Sequence, residues 1–230
     1  MKYTHLFFDL DRTLWDFEKN SKEALTEMHN HFDLIKLGVP SADIFIEKYK
    51  VHNEHLWSLY RKGKIDKDSL RSYRFELCLN DFSISDDKLA ADLGDMYVKT
   101  SPYKTNLFPF THEVLKYLKT KYHLHIITNG FEEVQHIKLK QSKLDVYFDK
   151  VITSEHIGVK KPDPKIFNYA LFSTKSELSQ SLMLGDDFAV DILGAKNIGM
   201  DQVFFNPFNE SFDGKPTFEI SCLSELLRLL

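Results

Sequence analysis

A chain of 230 residues is long enough for one or two domains with a proper core, and its 43% hydrophobic and 28% charged residues are those of an ordinary soluble globular protein. The net charge of −4, with acids and bases mixed along the chain, argues against a general nucleic-acid binder but leaves room for a small anionic ligand at a local positive site. No stretch approaches the ~18 apolar residues of a membrane span. The N-terminal run Leu6-Phe7-Phe8 is cut off at once by Asp9, so it reads as neither signal peptide nor anchor. The two cysteines, Cys78 and Cys222, lie far apart and in no C-x-x-C pair, which fits free thiols in a reducing compartment; a cytoplasmic protein is expected.

The first apolar run predicts a strand over 4–9. About ninety residues with helical signals only come next. Asn20-Ser21-Lys22-Glu23 has the form of a capping box, with Leu25, Met28 and Phe32 behind it. Ser41 can cap a second helix with Ile44, Phe45, Tyr49, Leu56 and Tyr60 near one face. Asp66 can cap a third, carrying Leu70, Tyr73, Leu77 and Cys78, and Ser85 a fourth, carrying Leu89, Leu93, Met96 and Tyr97. From about residue 105 helices alternate with short apolar runs. Helices over 111–121, 131–142, 164–172 and 188–198 lead in turn into runs at 124–127, 151–153, 182–184 and 202–205, and a helix over 223–230 closes the chain. Short apolar strands between helices predict a parallel sheet covered on both faces. The expected architecture is an α/β, Rossmann-like core of residues 1–14 and 105–230, with an α-helical insertion over 15–104. Linkers near 14–19 and 99–108 join the two, with Pro102 in the second and Pro109 next to it.

In open α/β sheets, ligands bind beyond the carboxyl ends of the strands. The first strand ends in Asp9-Leu10-Asp11-Arg12-Thr13. Strand residues alternate faces, so Asp9 and Asp11 point the same way, and two such anions repel unless a cation or a proton lies between them. That suits a Mg²⁺ site, although an isolated D-x-D-x-T is as often a solvated acidic turn. The second core run ends in Thr128-Asn129-Gly130, and Leu182–Leu184 ends in Gly185-Asp186-Asp187, with Asp191 four residues on. Lys160-Lys161-Pro162-Asp163-Pro164 precedes another helix. Singly these are turns, caps and a solvated lysine. Together, in order and each after the right element, they bring a hydroxyl, an amide, a lysine and two pairs of acids to one rim. That set suits a phosphate and a divalent metal.

These residues resemble the haloacid dehalogenase superfamily of phosphohydrolases. Asp9-Leu10-Asp11-Arg12-Thr13 matches its first motif, Thr128 the second, Lys161 the third, and Asp186 with Asp191 the fourth. The helical block sits where that family inserts a cap, between motifs one and two. A closer likeness joins Ile127-Thr128-Asn129-Gly130-Phe131, Ser154-Glu155-His156-Ile157-Gly158-Val159, Lys161-Pro162, Lys165-Ile166-Phe167, Tyr169-Ala170-Leu171 and Pro216-Thr217-Phe218 to the bacterial YjjG-type nucleoside 5′-monophosphatases. Two departures stand out: Arg12 where Gly is frequent, and Pro109-Phe110 where Pro-Gly is common.

The resemblance implies a phosphomonoesterase working through an aspartyl-phosphate on Asp9. Mg²⁺ is then bound by Asp9, the backbone carbonyl of Asp11, and Asp186. Lys161, the Thr128 hydroxyl and the Asn129 amide face the phosphoryl oxygens, and Asp11 acts as general acid and base. Asp191 supports a metal-bound water or Lys161, and Asp187 a supporting role near the metal. The helical cap excludes water and moves on its linkers. Within it Trp57, Tyr60, Arg71, Tyr73 and Arg74 are candidates to read a nucleoside, each better explained singly by packing or solvation. The implied partner is a small phosphorylated metabolite, a nucleotide first, with a sugar phosphate or phosphoglycolate as the alternative. A phosphomutase and a catalytically dead binding protein are further alternatives, and Asp11 argues against a dehalogenase, which needs no second acid. No nucleic-acid polymer or membrane is expected as a partner, and the oligomeric state is open.

Overall fold

The structure, a computed structural model, describes residues 2–230. In chain order it runs β1 (His5–Phe8), α1 (Phe17–His31), α2 (Ala42–Arg61), α3 (Lys67–Asn80), α4 (Asp87–Thr100), α5 (Thr111–Lys119) and β2 (His123–Thr128). Then follow α6 (Glu132–Gln141), β3 (Lys150–Thr153), α7 (Ser154–Ile157), α8 (Pro164–Thr174) and β4 (Ser181–Gly185). The chain ends with α9 (Leu193–Asn197), β5 (Asp201–Phe205), β6 (Phe218–Ile220) and α10 (Leu226–Leu229). It divides into two compact units: the segment up to Phe17 with Thr105–Leu230, and the segment Glu18–Lys104.

In the first unit the described residues form a six-stranded sheet, ordered β3-β2-β1-β4-β5-β6, with every neighbouring pair parallel. This is the α/β fold expected. Side chains leave a strand alternately to its two faces, and here both faces are apolar. Leu6 and Phe8 join Leu124, Ile126, Leu182, Leu184 and Val203 under α5. Phe7 turns the other way, to Ile127, Met183 and the α8 residues Ile166, Phe167 and Ala170. Burying each of these large side chains contributes about 1.5–3 kcal/mol, so the strand register is firmly set. Phe8 pairs with Ile126 on one side and Leu184 on the other. The chain reverses its direction of strand addition between β1 and β4, which opens a crevice at their carboxyl ends.

The sequence reading of the strands holds for the first five and misses β6. Phe218–Ile220 is three residues long, too short for alternation to show, and it exists through its parallel pairing with β5. The single helix expected over 188–198 is instead a wide π turn, Phe188–Ile192, followed by α9. Both cysteines are free, Cys78 buried and Cys222 partly so.

The second unit is helical. Its core gathers Ala24, Leu25 and Met28 of α1, Phe45 and Tyr49 of α2, Phe75 of α3 and Leu93 of α4. Ser41 and Asp66 cap α2 and α3 as expected, accepting hydrogen bonds from the amides of Ile44 and Ser69. Two caps differ. Asp86, not Ser85, caps α4, because its longer carboxylate reaches the Leu89 amide at 2.9 Å. The proposed capping box at Asn20–Glu23 lies inside α1, which already starts at Phe17. Its Asn20 and Ser21 are buried, and the Ser21 hydroxyl accepts from the Tyr97 hydroxyl at 2.9 Å.

The two departures from the family pattern both fall on left-handed backbone: Arg12 has φ +65° and Phe110 φ +68°. That conformation costs a side-chain-bearing residue about 1–2 kcal/mol, which is why glycine suits both positions. Arg12 recovers part of this by resting its guanidinium over the Phe17 ring, 5.1 Å from the centroid. Phe110 stands half exposed at the start of α5. Phe110→Gly is therefore expected to stabilise the chain by about 1 kcal/mol, read as a higher urea midpoint with an unchanged slope.

Candidate functional site

Register alone carries the candidate residues to one edge of the sheet. The Asp9 amide continues the β1–β4 ladder, donating to the Leu184 carbonyl at 2.8 Å, so Asp9 leaves β1 level with Gly185 and Asp186. Thr128 ends β2, the neighbour on the other side. Lys161 arrives from the loop before α8. Its main chain is clamped by the Asn129 side chain, whose Nδ2 donates to the Lys161 carbonyl at 2.9 Å and whose Oδ1 accepts from the Lys161 amide at 2.8 Å.

The result is a buried ionic centre. Lys161, 2% exposed, places Nζ 2.6 Å from Asp9 Oδ1 and 2.6 Å from Asp191 Oδ1. Thr13 donates its hydroxyl to Asp186 Oδ1 at 2.9 Å and lies 3.4 Å from Asp9 Oδ2. Asp191 reaches this centre because of the wide π turn. Asp187 sits at the turn's start and accepts from the amides of Ala189 and Val190 at 3.1 and 3.0 Å. Gly185 clears the way: a side-chain carbon there would lie 2.3 Å from Asp191 Oδ2. Thr128 is buried, and its hydroxyl accepts from the Gly130 amide at 3.0 Å.

Carboxylate oxygens of Asp9, Asp186 and Asp191 lie within 4.8 Å of one another. Among the described residues these three carboxylates face one paired ammonium, Lys161, which leaves an excess of buried negative charge. Burial and the charges of Asp9 and Asp191 push Asp186 well above the usual carboxylate range. Burial raises Asp191 to about 7 against the pull of Lys161. Asp9 is also raised, by burial first, with Lys161 opposing and Asp11 adding to it. Lys161 itself is raised, its desolvation outweighed by Asp191 and Asp9. An oxygen-only donor set with excess negative charge fits a hard divalent cation such as Mg²⁺.

Asp9, Asp186, Asp191 and Lys161 thus come together as the sequence suggested, with Asp191 in the acidic cluster itself. Asp11 behaves differently. Its carboxylate turns to α6, accepting from Gln135 Nε2 at 2.9 Å and meeting Lys138 Nζ at 2.5 Å. The side chain of Asp187 is engaged with main-chain amides rather than joining the acidic cluster. Among the helical candidates Tyr60 and Arg74 are buried and Tyr73 is half exposed. Sequence spacing alone does not single out Thr13, Gln135 or Lys138. Thr13 lay in the D-x-D-x-T run, whereas Gln135 and Lys138 resemble any polar residues on an exposed helix.

A parallel α/β sheet with acids, a lysine and a hydroxyl at its switch point is an arrangement suited to phosphoryl chemistry. The match of residues 6–205 to the haloacid dehalogenase-like hydrolase family makes the assignment definite: the chain belongs to that family. It is 31% identical over its whole length to the pyrimidine 5′-nucleotidase YjjG of Escherichia coli, covering 99% of that protein. It is also 31% identical, over 87% of its length, to the glyceraldehyde 3-phosphate phosphatase of Methanothermobacter thermautotrophicus, covering 84% of it. Among solved structures it is similar to the HAD-hydrolase YfnB of Bacillus subtilis, crystallised with magnesium, at a TM-score of 0.90 and 27% identity, covering 100% of this chain and 99% of that one.

The charge excess has a consequence for stability. Asp186 holds its proton more tightly folded than unfolded, so the folded state binds more protons as pH rises through the ordinary carboxylate range, and stability falls with pH there. In a chelating buffer Asp186→Asn is expected to melt several degrees above the unsubstituted chain at pH 7.5. The gap should narrow as pH falls toward the ordinary carboxylate range; thermal unfolding at pH 7.5 and pH 5 checks this.

Proposed function

We propose that this chain is a Mg²⁺-dependent phosphomonoesterase acting on nucleoside 5′-monophosphates, pyrimidine nucleotides first. The observation that carries the chemistry is the Lys161 ammonium 2.6 Å from Asp9 within a cluster of three carboxylates. The full-length similarity to a pyrimidine 5′-nucleotidase supports the substrate class.

In this reading an Asp9 oxygen attacks phosphorus and the ester oxygen leaves. Lys161 holds Asp9 in place and offsets charge on the phosphoryl oxygens, and the Thr128 hydroxyl and the Asn129 amide face the same oxygens. Asp11 gives a proton to the leaving oxygen, then takes one from the water that attacks the aspartyl-phosphate, releasing phosphate and restoring the Asp9 carboxylate. Asp9, Asp186 and the Asp11 carbonyl are the residues that would hold Mg²⁺, with Asp191 in support. When bound, the cation neutralises charge as the anionic nucleophile and the phosphate approach. The helical unit serves as the cap that meets the leaving group and excludes water.

Glyceraldehyde 3-phosphate phosphatase among the relatives favours a small sugar phosphate as the second reading. An initial-rate screen with Mg²⁺ over pyrimidine and purine nucleoside monophosphates and sugar phosphates separates the two. The expected result is the highest kcat/KM for pyrimidine nucleotides; a clear preference for triose or pentose phosphates would overturn the nucleotidase reading.

Asp9→Asn is expected to cut turnover by at least about 10³-fold while the circular dichroism spectrum is unchanged. EDTA should abolish activity in the unsubstituted enzyme, and added Mg²⁺ should restore it. Retained turnover in Asp9→Asn would remove the nucleophile assignment.

A further inference from the structure

We propose that Gln135 and Lys138 are positioning residues for Asp11, fixing its carboxyl group for proton transfer. The inference rests on the reading of Asp11 as the acid and base. Helix α6 follows the Thr128-Asn129-Gly130 turn, and two of its three buried residues are polar: Gln135 and Lys138, alongside Leu139. Gln135 is 1% exposed and Lys138 4%. A buried ammonium costs several kcal/mol in desolvation, and a merely structural helix would bury leucines here at no such cost.

The spacing explains what they do. Residues three apart on a helix share a face, so both reach the same neighbour. Gln135 Nε2 donates to Asp11 Oδ2 at 2.9 Å and Lys138 Nζ to Asp11 Oδ1 at 2.5 Å, one donor for each oxygen. Lys138 is itself held from below, its ammonium 4.1 Å from the centroid of the buried Trp15 ring and 6.0 Å from that of Phe17. Among the described residues Gln135 Oε1 has no hydrogen-bond partner, so the amide is oriented for its donor end.

Gly130 belongs to the same device. A side-chain carbon there would fall 1.9 Å from Gln135 Nε2, so the glycine after Thr128-Asn129 leaves the path that Gln135 takes. Each carboxylate oxygen has two lone-pair directions, and Gln135 and Lys138 use one on each. The second direction on each oxygen is left free of these two anchors. Two anchors on one carboxyl group remove its rotational freedom, which a proton donor at the end of a turn otherwise keeps.

A matched pair of aryl esters tests this. Phenyl phosphate needs its leaving oxygen protonated; p-nitrophenyl phosphate, of nearly the same shape, needs this far less. The comparison uses kcat/KM, which covers the steps up to ester cleavage, for the Mg²⁺-loaded enzyme and its Asp11→Asn, Lys138→Met, Gln135→Leu and Gly130→Ala variants. Lys138→Met and Gln135→Leu are expected to lose about 10- to 100-fold on phenyl phosphate and less than about threefold on p-nitrophenyl phosphate, in the pattern of Asp11→Asn. Gly130→Ala should follow Gln135→Leu, which keeps the test alive if Lys138→Met fails to fold. Asp11→Asn selective for phenyl phosphate, with the other variants losing both esters equally or neither, would overturn the positioning role and leave Asp11 as the acid. Equal loss on both esters in Asp11→Asn would overturn the role of Asp11 and this inference with it.

Discussion

One ammonium group organises the site. Lys161 lies almost wholly out of solvent, between Asp9 at the end of β1 and Asp191 on the wide turn after β4. A buried charge of this kind is tolerable only when paired, and losing one partner of such a pair costs about 3–5 kcal/mol. The neighbouring features serve that pairing. Asn129 grips the Lys161 main chain at both its amide and its carbonyl, tying the loop to the end of β2. Asp187 winds the turn that aims Asp191 inward, and Gly185 yields the space Asp191 occupies. Three strands that the apolar core sets in register are thus linked at their carboxyl ends through a single residue, two by its ammonium and one by its main chain.

The same centre is out of electrical balance, and that imbalance links structure to chemistry. Three clustered carboxylates with one paired ammonium are a poor arrangement for a protein interior and a good one for capturing a cation. Proton affinities in the cluster move accordingly, with Asp186 and Asp191 both raised by burial and by neighbouring acids. A site that concentrates like charge trades stability for reactivity, a general pattern in active centres. In the proposed reaction a phosphate dianion adds further negative charge, which a divalent cation and Lys161 would offset together as it meets Asp9.

Much of this was legible in the sequence because strand physics is simple. An apolar run fixes a strand, its end fixes an edge, and polar residues that follow several such runs must meet there. Asp9, Thr128, Asp186 and Asp191 follow from that rule, Lys161 comes from the loop before a helix, and the comparison with the family agrees with the fold. What stayed hidden depends on tertiary detail. Strand β6 is defined by its partner, not by its own three residues. Asn20 and Ser21 carry a capping signature but lie within a helix that begins earlier, where burial overrides the local preference. The π turn gives no periodic signal distinct from an ordinary helix. Gln135 and Lys138 have the pattern of a solvated face, and only the fold reveals that this face is covered.

The candidates for substrate recognition are held differently. In the helical unit the conspicuous candidate, Arg74, is buried, donates to the Tyr49 hydroxyl and to Asn53, and lies near the rings of Tyr49, Phe75 and Tyr97. Those contacts make it a packing residue of that unit's core. The phosphate end of the reaction is written in buried, mutually constrained charges, which sequence spacing can expose. The other candidates include side chains that stay accessible, such as the half-exposed Tyr73. Residues of that kind obey the same compositional rules as any solvated surface. Chemistry is therefore legible in this chain where the fold forces groups together, and specificity is obscure where the fold leaves them free.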